Sequence, residues 1–362
     1  SLNLNAGRLA VVVDMTIAAS GQVQQSDIYR ATVRSQAKLA YNGVAAWLEE
    51  TGPQPEPIGA VPGLDQNLRL QSAVAQSMKN LRHVHGALSL DTIEPKPVFD
   101  GEQIRDLEVE RKNLATDIVE DFMISANGVT ARYLADKGLP SIRRVVRTPK
   151  RWDRIVELAA EHGTHLPALP DAKALEDFLT KQQAGDPVTF PDLSLAIIKL
   201  LGPGEYVAEL PGDQAEGHFG LAVKDYTHST APNRRFSDLI TQRLLKAALT
   251  GGAAPYSMDD LTALAVHCTE QEDAINKVER QVSKSAAALL LESRIGEQFD
   301  ALVTGASPKG TWARLLPLPV EGKVVQGFQG LDVGHRIRVQ LVSVDVERGF
   351  IDLRAFQQGR RR

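Results

Sequence analysis

The chain has 362 residues, 24% of them charged and 43% hydrophobic, and a formal net charge of −4. This is an ordinary globular mixture, long enough for two or three domains, and a nucleic-acid partner would require its Lys and Arg to be concentrated locally. The single cysteine, Cys268, excludes an intrachain disulfide framework and fits a reducing cytoplasm. No apolar run is long enough to span a membrane and no secretory signal opens the chain, so we expect no membrane partner.

The opening residues predict two antiparallel strands, over 8–19 and 22–35, with a turn at Ser20-Gly21. Residue 1 is serine, and the first methionine is Met15. Because a native protein rarely begins directly in a core strand, we expect this sequence to be a fragment of a longer protein.

Helices and short strands then alternate up to residue 137. The pattern predicts helices over 38–50, 64–85 and 111–137, and strands near 87–90, 97–99 and 104–109. From the residues alone, Tyr41 is a tyrosine at the edge of the core with its hydroxyl in water. Glu120 and Asp121 point about 100° apart on one helix, so they cannot form a matched acid–base pair, and a solvated helix face is the plain interpretation. Asn127 is expected to tie down local backbone.

Three further helices are predicted between residues 140 and 200, around 151–162, 171–182 and 192–201. This region carries the densest basic run of the chain, which consists of Arg143, Arg144, Arg147, Lys150 and Arg151. The run is either a phosphate-lined entrance or a solvated loop, and a short basic run does not decide between the two.

The region after residue 217 carries the most informative pattern. Residues 218–223 predict a short strand and residues 225–231 a turn. A helix is expected to begin at Pro232, because proline suits the first helical position, and Thr230 or Ala231 would be its cap.

Arg234 and Arg235 then fall in the first turn of the predicted helix, where the positive end of the helix dipole repels them. Asp238 can pair with either arginine, so one interpretation is a surface salt bridge. The other interpretation is an anion site, in which helix N–H groups and both guanidinium groups converge on a phosphate. The hydroxyl groups expected to join them belong to Thr227, Ser229 and Thr230.

The C-terminal part changes character after a long helix predicted over 257–291. From about residue 297, short alternating runs are separated by glycine-containing turns, which is the rhythm of a five-stranded OB barrel. Trp312, Lys323 and Phe328 are candidates for base stacking and phosphate contact, although Trp312 is alternatively a core residue. The basic tail at 359–362 offers at most a nonspecific attraction to phosphate.

The region from residue 226 onward resembles the signature of a known family. The matching residues are Tyr226-Thr227-His228, Thr230, Pro232, Arg234-Arg235, Asp238-Leu239 and Arg243-Leu244-Leu245. Their order is similar to that of the ribonuclease II, or RNB, family. The departures are Ala231, Asn233, Phe236 and Gln242, where the family usually has serine, an aliphatic residue, tyrosine and histidine. The resemblance implies an α+β fold, with an RNB catalytic domain over 1–294, an S1-type OB domain over 295–358 and a basic tail at 359–362.

The resemblance also implies a reaction. Members of the family digest single-stranded RNA from its 3′ end to nucleoside 5′-monophosphates, with two Mg²⁺ ions held by aspartates. The aspartate cluster is not recognisable in this sequence, because Asp14 lies in a predicted strand and no further aspartate follows at short spacing. We therefore expect the metal ligands upstream of this sequence, association of the chain with that upstream segment, and no oligomer.

The resemblance assigns roles to particular residues. Arg234 is implied to be the catalytic residue that binds the scissile phosphate and stabilises its developing charge. The residues implied to contact RNA are Tyr41, Glu120, Thr230, Arg235, Glu279, Trp312 and Lys323. Among them, Tyr41 and Glu120 would position the terminal nucleotide and Arg235 would hold a neighbouring phosphate. For Glu279, a structural pairing with an arginine is the plain alternative.

Two other functions are alternatives to exoribonuclease activity. A catalytically inactive RNA-binding or regulatory protein with a degenerate RNB core would bind RNA in a salt-sensitive way and release no nucleotides. An unrelated metabolic enzyme with an appended OB domain is disfavoured, since no cofactor loop and no Ser–His–Asp or Cys–His arrangement stands out.

Overall fold

The computed structural model describes residues 2–93, 95–101, 103–109, 112–213, 216–316 and 318–356. The helices within those residues are α1 (Tyr41–Leu48), α2 (Glu56–Gly59), α3 (Leu64–Val84), α4 (Leu114–Asp136), α5 (Trp152–Glu161), α6 (Ala172–Gly185), α7 (Phe190–Leu201), α8 (Phe236–Leu249) and α9 (Met258–Leu291). The strands are β1 (Gly7–Ile17), β2 (Val23–Arg34), β3 (Pro95–Asp100), β4 (Gln103–Val109), β5 (Ser141–Val145), β6 (Glu205–Glu209), β7 (Gln298–Ser307), β8 (Gly310–Leu315), β9 (Glu321–Gln326), β10 (Arg336–Asp345) and β11 (Phe350–Phe356). This mixture, with its C-terminal barrel, confirms the predicted α+β class. The predicted tail at 359–362 lies outside the described residues.

The chain forms two compact units. The first unit consists of Ser1–Leu90, Lys112–Gly185 and Ala196–Glu270, and the second of Asp91–Arg111, Asp186–Leu195 and Gln271–Arg362. Two short stretches from the first 200 residues therefore belong to the second unit together with the barrel. In that unit, Leu107 of β4 is part of the barrel's buried core, and Asp192 forms an ion pair of 2.8 Å with Arg314 of β8.

The first unit is built around a long ribbon of two strands and the helices that cover it. β1 and β2 pair as antiparallel neighbours from Gly7 opposite Arg34 to Ile17 opposite Val23, which confirms the two predicted strands. Successive residues of a strand face opposite sides, so Val11, Val13 and Met15 lie on the side that packs into the main core of this unit. That core also contains residues of α4 and α8, and it thereby fixes the helices that carry the candidate site.

The turn between β1 and β2 depends on Gly21. This residue has φ of +87°, and a Cβ atom there would stand 2.4 Å from the carbonyl oxygen of Ser77 in α3. An l-residue would be strained by the positive φ and would push the turn away from the helix.

Replacing Gly21 by alanine is therefore expected to lower the free energy of unfolding by about 3 kcal/mol, as backbone strain and overpacking add. Gly251 is the matched control: its φ is +66°, but no atom lies within 4 Å of the Cβ position. Gly251→Ala is expected to cost only about 1 kcal/mol. Urea unfolding followed by circular dichroism measures both variants, and equal losses would refute the close-contact argument.

The helix α4 begins at Leu114, three residues later than predicted, because Asn113 caps it. The Asn113 side chain accepts hydrogen bonds from the backbone N–H groups of Ala115 and Thr116, at 3.1 and 3.0 Å. The hydroxyl of Thr116 in turn accepts a hydrogen bond from the backbone N–H of Asn113 at 2.9 Å. This capping box sets the register of α4, and with it the direction in which each of its later side chains points.

Two predicted strands are absent from the described structure. Residues 87–90 form an irregular segment, in which Ser89 donates to the buried carboxylate of Glu176 from both its backbone N–H, at 2.5 Å, and its hydroxyl, at 2.6 Å. Residues 218–223 form a 3₁₀ turn over Phe219–Leu221, capped by the His218 ring, which accepts from Leu221 N–H at 3.2 Å. The first segment is held by a distant side chain, and in the second His218 makes only isolated bridges to Val146 and Val223, so neither segment forms a strand ladder.

The second unit contains the closed five-stranded barrel that the alternating pattern predicted. The strand order is β10-β11-β9-β8-β7 and closes by pairing of β7 with β10; β9 and β11 are parallel, and the other pairs are antiparallel. Alternate side chains fill the interior, among them Phe299, Leu315, Val339 and Leu353. Among the described residues, no helix is both long and apolar enough to cross a bilayer.

Candidate functional site

The segment from Tyr226 to Arg235, which we call the arginine segment, leads into α8. The helix begins at Phe236, not at Pro232, and Arg235 is its N-cap with extended backbone. Residues 231–235 form a tight turn instead, in which the N–H groups of Arg234 and Arg235 donate to the carbonyl of Ala231 at 3.1 and 2.9 Å. The two arginines therefore precede the helix, and the predicted cap at Thr230 or Ala231 is wrong.

Asp238 explains why the turn has this form. Its side chain is fully buried and accepts hydrogen bonds from the Ala231 N–H and from Nη2 of Arg235, both at 2.8 Å. The predicted pairing of Asp238 with one of the two arginines is thus made with Arg235. The buried carboxylate therefore ties both ends of the turn at 231–235 to the first turn of α8.

Arg234 is the arginine that Asp238 leaves unpaired. Its side chain is exposed, and within the described residues it makes no hydrogen bond or ion pair. Thr230 is exposed beside it, with its hydroxyl 3.4 Å from Nη2 of Arg235. The outer surface of the arginine segment therefore presents one unpaired guanidinium group and one hydroxyl.

The hydroxyl groups of Thr227 and Ser229 point the other way. Thr227 donates to the carbonyl of Ile142 at 2.6 Å, and Ser229 donates to Oδ1 of Asn127 at 2.8 Å. Both residues are buried, and buried polar groups are almost always hydrogen-bonded within the protein. The expectation that they join the arginines around a phosphate is therefore wrong. Asn127 was expected to tie down local backbone, but the backbone N–H that it accepts from belongs to Ser229, 102 residues further along the chain.

Beneath the segment lies a cluster of two histidines and two tyrosines. The Nδ1 atom of His228 is 2.8 Å from the hydroxyl of Tyr206, and the Tyr226 ring meets His218 and His228 edge-on, with centroids 5.7 and 5.6 Å apart. Burial, followed by the charges of nearby arginines, lowers the pKa of His228 to about 3 and that of His218 to about 4. Both rings are therefore neutral at physiological pH. Tyr206, on β6, was missed because nothing in the sequence links it to the motif.

The depressed pKa of His218 gives a prediction about acid stability. Unfolded histidine binds a proton near pH 6.5, but folded His218 does so only near pH 4, so between these values the unfolded state binds more protons. Stability contributed by the neutral ring is present above pH 6.5 and is lost as the pH falls towards 4. At pH 5 we expect a loss of about 1–2 kcal/mol from this residue, which is half-buried.

His218→Asn keeps an acceptor for the Leu221 N–H and removes the titration. Its free energy of unfolding should fall less between pH 7 and pH 5 than that of the unmodified protein, as measured by urea titration at both pH values. His165→Asn, at an exposed histidine, is the control. The same pH slope in all three proteins would contradict the prediction. The comparison is made between variants because Asp121, whose pKa burial raises to about 6, acts in the opposite direction.

The predicted basic run is largely engaged with carboxylates and backbone. Arg143 is buried and forms an ion pair of 3.0 Å with Glu209, and Arg147 pairs with both Glu205 and Glu216. The guanidinium group of Arg144 lies over the Tyr206 ring, 4.8 Å from its centroid. These contacts hold β5 and β6 together. Because Arg143 and Arg147 are engaged in them, these two residues do not support the interpretation as a phosphate-lined entrance.

Tyr41 and Glu120 lie on two helices that pack together. Tyr41 opens α1 and is 50% exposed, and α1 contacts α4 through the cluster that contains Val44 and Ala115. Glu120 forms an ion pair of 2.8 Å with Lys112. Seven residues separate Glu120 from Asn127, so the two lie on the same side of α4, about 10 Å apart along its axis. Glu120 therefore lies on the side of the helix that faces the arginine segment.

Asp121, the neighbour of Glu120 on α4, differs from it in burial. Its side chain is buried and pairs with Arg82 of α3. Burial raises its pKa to about 6, and the Arg82 charge offsets part of this effect. The pair joins α3 to α4 and was missed by sequence reasoning, since a buried and an exposed carboxylate look alike in one sequence.

In the second unit, Trp312 and Lys323 are opposite each other on β8 and β9. Trp312 points away from the barrel interior, which its neighbours Thr311 and Ala313 face, so the alternative of a core residue is wrong. Its ring lies against Gly305 and Gly310, where a Cβ atom would come within 3.4 and 3.2 Å of ring atoms. Glu279 of α9 is exposed, and within the described residues it forms no ion pair with an arginine.

The described residues do not form a two-metal centre. Among them, no group of three or more His, Cys, Asp or Glu side chains could hold a metal ion. Asp14 and Asp27 are cross-strand partners on β1 and β2, and both are exposed. One oxygen of Asp27 accepts a hydrogen bond from the N–H of Ile28 at 2.8 Å. A pair of exposed carboxylates falls short of a site in which shared carboxylates clamp two ions.

Comparison with known proteins shows which protein families this chain resembles. The model of the RNB domain matches residues 1–251, and that of the RNase II-type exonuclease C-terminal S1 domain matches residues 297–355. The chain is 27% identical to Ribonuclease R of Aquifex aeolicus, over 99% of this chain and 53% of that protein. It spans about half the length of the curated relatives it matches.

Two solved structures share the fold. Mycoplasma genitalium RNase R in complex with double-stranded RNA superposes with a TM-score of 0.84 at 21% identity, covering 98% of this chain and 61% of the other. Yeast Ssd1, a pseudonuclease, superposes with a TM-score of 0.66 at 15% identity, covering 90% of this chain and 40% of the other. At such identities these likenesses concern the fold alone.

Proposed function

The chain belongs to the RNB family, and from that premise we propose that it is the RNA-holding part of an exoribonuclease that removes nucleoside 5′-monophosphates from the 3′ end of single-stranded RNA. The observation that carries the proposal is the arginine segment. It presents Arg234 as an exposed guanidinium group with no ion pair among the described residues, on a turn that buried side chains hold from beneath. A guanidinium group in that state is suited to bind a phosphate through paired hydrogen bonds.

The proposed reaction is hydrolysis of the last phosphodiester. The oxygen of a water molecule forms a bond to phosphorus, the bond from phosphorus to the 3′ oxygen of the preceding nucleotide breaks, and that oxygen takes up a proton. Arg234 is the catalytic residue, because its charge stabilises the negative charge that develops on the non-bridging oxygens. Arg235, held by Asp238, contacts the neighbouring phosphate together with the hydroxyl of Thr230.

The other proposed contacts define which nucleic acid is accepted. Tyr41 packs against the terminal nucleotide with its exposed ring, and Glu120 accepts a hydrogen bond from the terminal ribose. A contact to the 2′-hydroxyl distinguishes RNA from DNA. Glu279 lies beside the RNA path, where its negative charge weakens the hold on the chain locally.

The family resemblance implies Mg²⁺, and the described residues do not fit a two-metal site. We propose that the metal ligands come from a segment outside this sequence, with which this chain associates. We also propose an RNB domain over 1–294 and an S1-type domain over 295–358, in a monomeric protein that acts in the cytoplasm, where its RNA substrate is found.

The direct test is an assay on single-stranded RNA labelled at its 5′ end, incubated with the purified protein and Mg²⁺, with and without EDTA. Shortening from the 3′ end that EDTA abolishes supports the proposal. The same assay is run on a longer protein that includes the proposed metal-binding segment, if the chain alone is inactive. Absence of shortening in both preparations would refute exonuclease activity.

A second candidate function is RNA binding without hydrolysis. The absence of a metal-binding group from the described residues favours it, and the pseudonuclease Ssd1 shares the fold. This function predicts tight, salt-sensitive RNA binding and no nucleotide release by the longer protein. The assay described above separates the two candidates.

Trp312 gives a prediction for the second unit. The ring lies against two glycines, and we propose that the part of it open to solvent stacks on an RNA base. Trp312→Ala is expected to weaken binding of single-stranded RNA by about 1–3 kcal/mol, as measured by fluorescence anisotropy in EDTA. Phe350→Ala, at another exposed aromatic residue of the barrel, is the control and should leave the affinity nearly unchanged. Equal effects of the two variants would contradict a specific stacking site.

A further inference from the structure

We propose that Asn127, in the middle of α4, is a positioning residue for RNA binding, because it fixes the turn that presents Arg234. The inference rests on the proposed RNA contact of Arg234. Asn127 itself is fully buried and would touch no RNA. Its effect would pass through the arginine segment, to which its side chain is hydrogen-bonded.

The polar atoms of the Asn127 side chain bond to residues of that segment. Its Oδ1 accepts two hydrogen bonds from Ser229, one from the backbone N–H at 3.0 Å and one from the hydroxyl at 2.8 Å. Its Nδ2 is 3.4 Å from the hydroxyl of Tyr226. Both lone pairs of the amide oxygen are therefore used, and the network fixes the orientation of the amide.

Ser229 is held from a second side by α8. Gln242 donates from Nε2 to the carbonyl of Ser229 at 2.7 Å, and Asp238 accepts from the N–H of Ala231 at 2.8 Å. Residues 229 and 231 are thus anchored to two different helices, and only Thr230 between them is exposed. The turn that ends in Arg234 starts from these anchors, so its direction depends on them.

Helix formation by itself does not explain the choice of asparagine. Asparagine is a poor helix former, and an apolar residue would suit the middle of a buried helix better. Without Asn127, the N–H and hydroxyl of the buried Ser229 would lose their main acceptor, at a cost in free energy that the segment can avoid by moving towards water. Arg234 would then be presented by a mobile turn, which RNA would have to order on binding.

The test is a double-mutant cycle on the complete chain. Asn127→Ala, Arg234→Ala and the double variant are titrated into fluorescein-labelled single-stranded RNA in EDTA, at several salt concentrations. Arg234→Ala is expected to weaken binding roughly tenfold. Asn127→Ala is expected to weaken it roughly three- to tenfold, since an unordered side chain must be immobilised. The double variant should bind only slightly more weakly than Arg234→Ala, because the proposal assigns most of the effect of Asn127 to that residue.

The salt dependence gives a second readout that a general loss of stability would not produce. Arg234→Ala should reduce the slope of log K against log salt by about 0.7, the value for one phosphate contact on a single strand. Asn127→Ala should reduce it by part of that value, because Arg234 then makes the contact in only part of the complexes, and the double variant should reduce it no further than Arg234→Ala. Ser125→Ala, on the same helix but bonded to Met78, is the control and should leave affinity and slope unchanged.

Three outcomes are distinguishable. Non-additive losses support the inference. If Asn127→Ala weakens binding by the same factor with and without Arg234, or not at all, the inference is overturned. If Arg234→Ala has no effect, the proposed RNA contact itself fails. Should Asn127→Ala not fold, Ser229→Ala replaces it in the cycle, because it removes the hydroxyl bond to Asn127 from the other side and keeps the backbone bond.

Discussion

Replacing Arg234 by alanine is expected to slow nucleotide release by about 100- to 1000-fold while weakening RNA binding only about tenfold. The larger effect on turnover follows from the proposed role, since a guanidinium group that meets charge developing in the transition state contributes more there than in the ground state. Arg234→Lys keeps the charge but loses the planar fork of donors, so it should recover only part of the activity.

The experiment uses protein that includes the proposed metal-binding segment and compares single-turnover rates with affinities measured in EDTA. Arg154→Ala is the control, at an exposed arginine of α5 that pairs with Glu157. Equal losses in turnover and affinity would make Arg234 an ordinary phosphate contact and would end its assignment as the catalytic residue.

The largest expected effect on stability belongs to Asp238. Its carboxylate is fully buried and accepts hydrogen bonds from Ala231, Arg235 and Ser237. Asp238→Ala leaves the guanidinium group of Arg235, whose side chain is 23% exposed, without its ion pair. Breaking a buried pair by removing one partner costs about 3–5 kcal/mol of unfolding free energy.

Asp260 provides the comparison. It also accepts from a backbone N–H before a helix, that of Ser257 at 3.0 Å, but it is exposed. Asp260→Ala should cost far less, because removing an exposed carboxylate leaves no buried charge without a partner. Urea unfolding followed by circular dichroism measures both variants. The double replacement of Arg235 and Asp238 by alanine should recover part of the loss, because no buried charge is then left unpaired. A loss no larger than that of Asp260→Ala would refute this account.

Sequence periodicity predicted the elements that form by local repetition. The helix over Leu64–Val84, the long helix up to Leu291 and the five-stranded barrel follow the expected patterns closely. Two of the failures occurred where hydrogen bonds to residues outside the predicted element replaced a local pattern. The expected strand near residue 88 is held by Glu176, and the expected helix start at Pro232 is displaced by the buried Asp238.

The order of residues from Tyr226 to Leu245 was sufficient by itself to indicate the family, and alternation was sufficient to indicate the barrel. Tertiary structure alone decided which of two adjacent charged residues is held in a buried ion pair and which stays accessible to solvent. Arg235 is tied to Asp238 and Arg234 is left exposed; Asp121 is buried against Arg82 and Glu120 stays partly in water. The physical reason is that the side chains that make these choices are distant in sequence. Asn127 lies 102 residues from the serine that it holds, and a single sequence does not reveal such pairs.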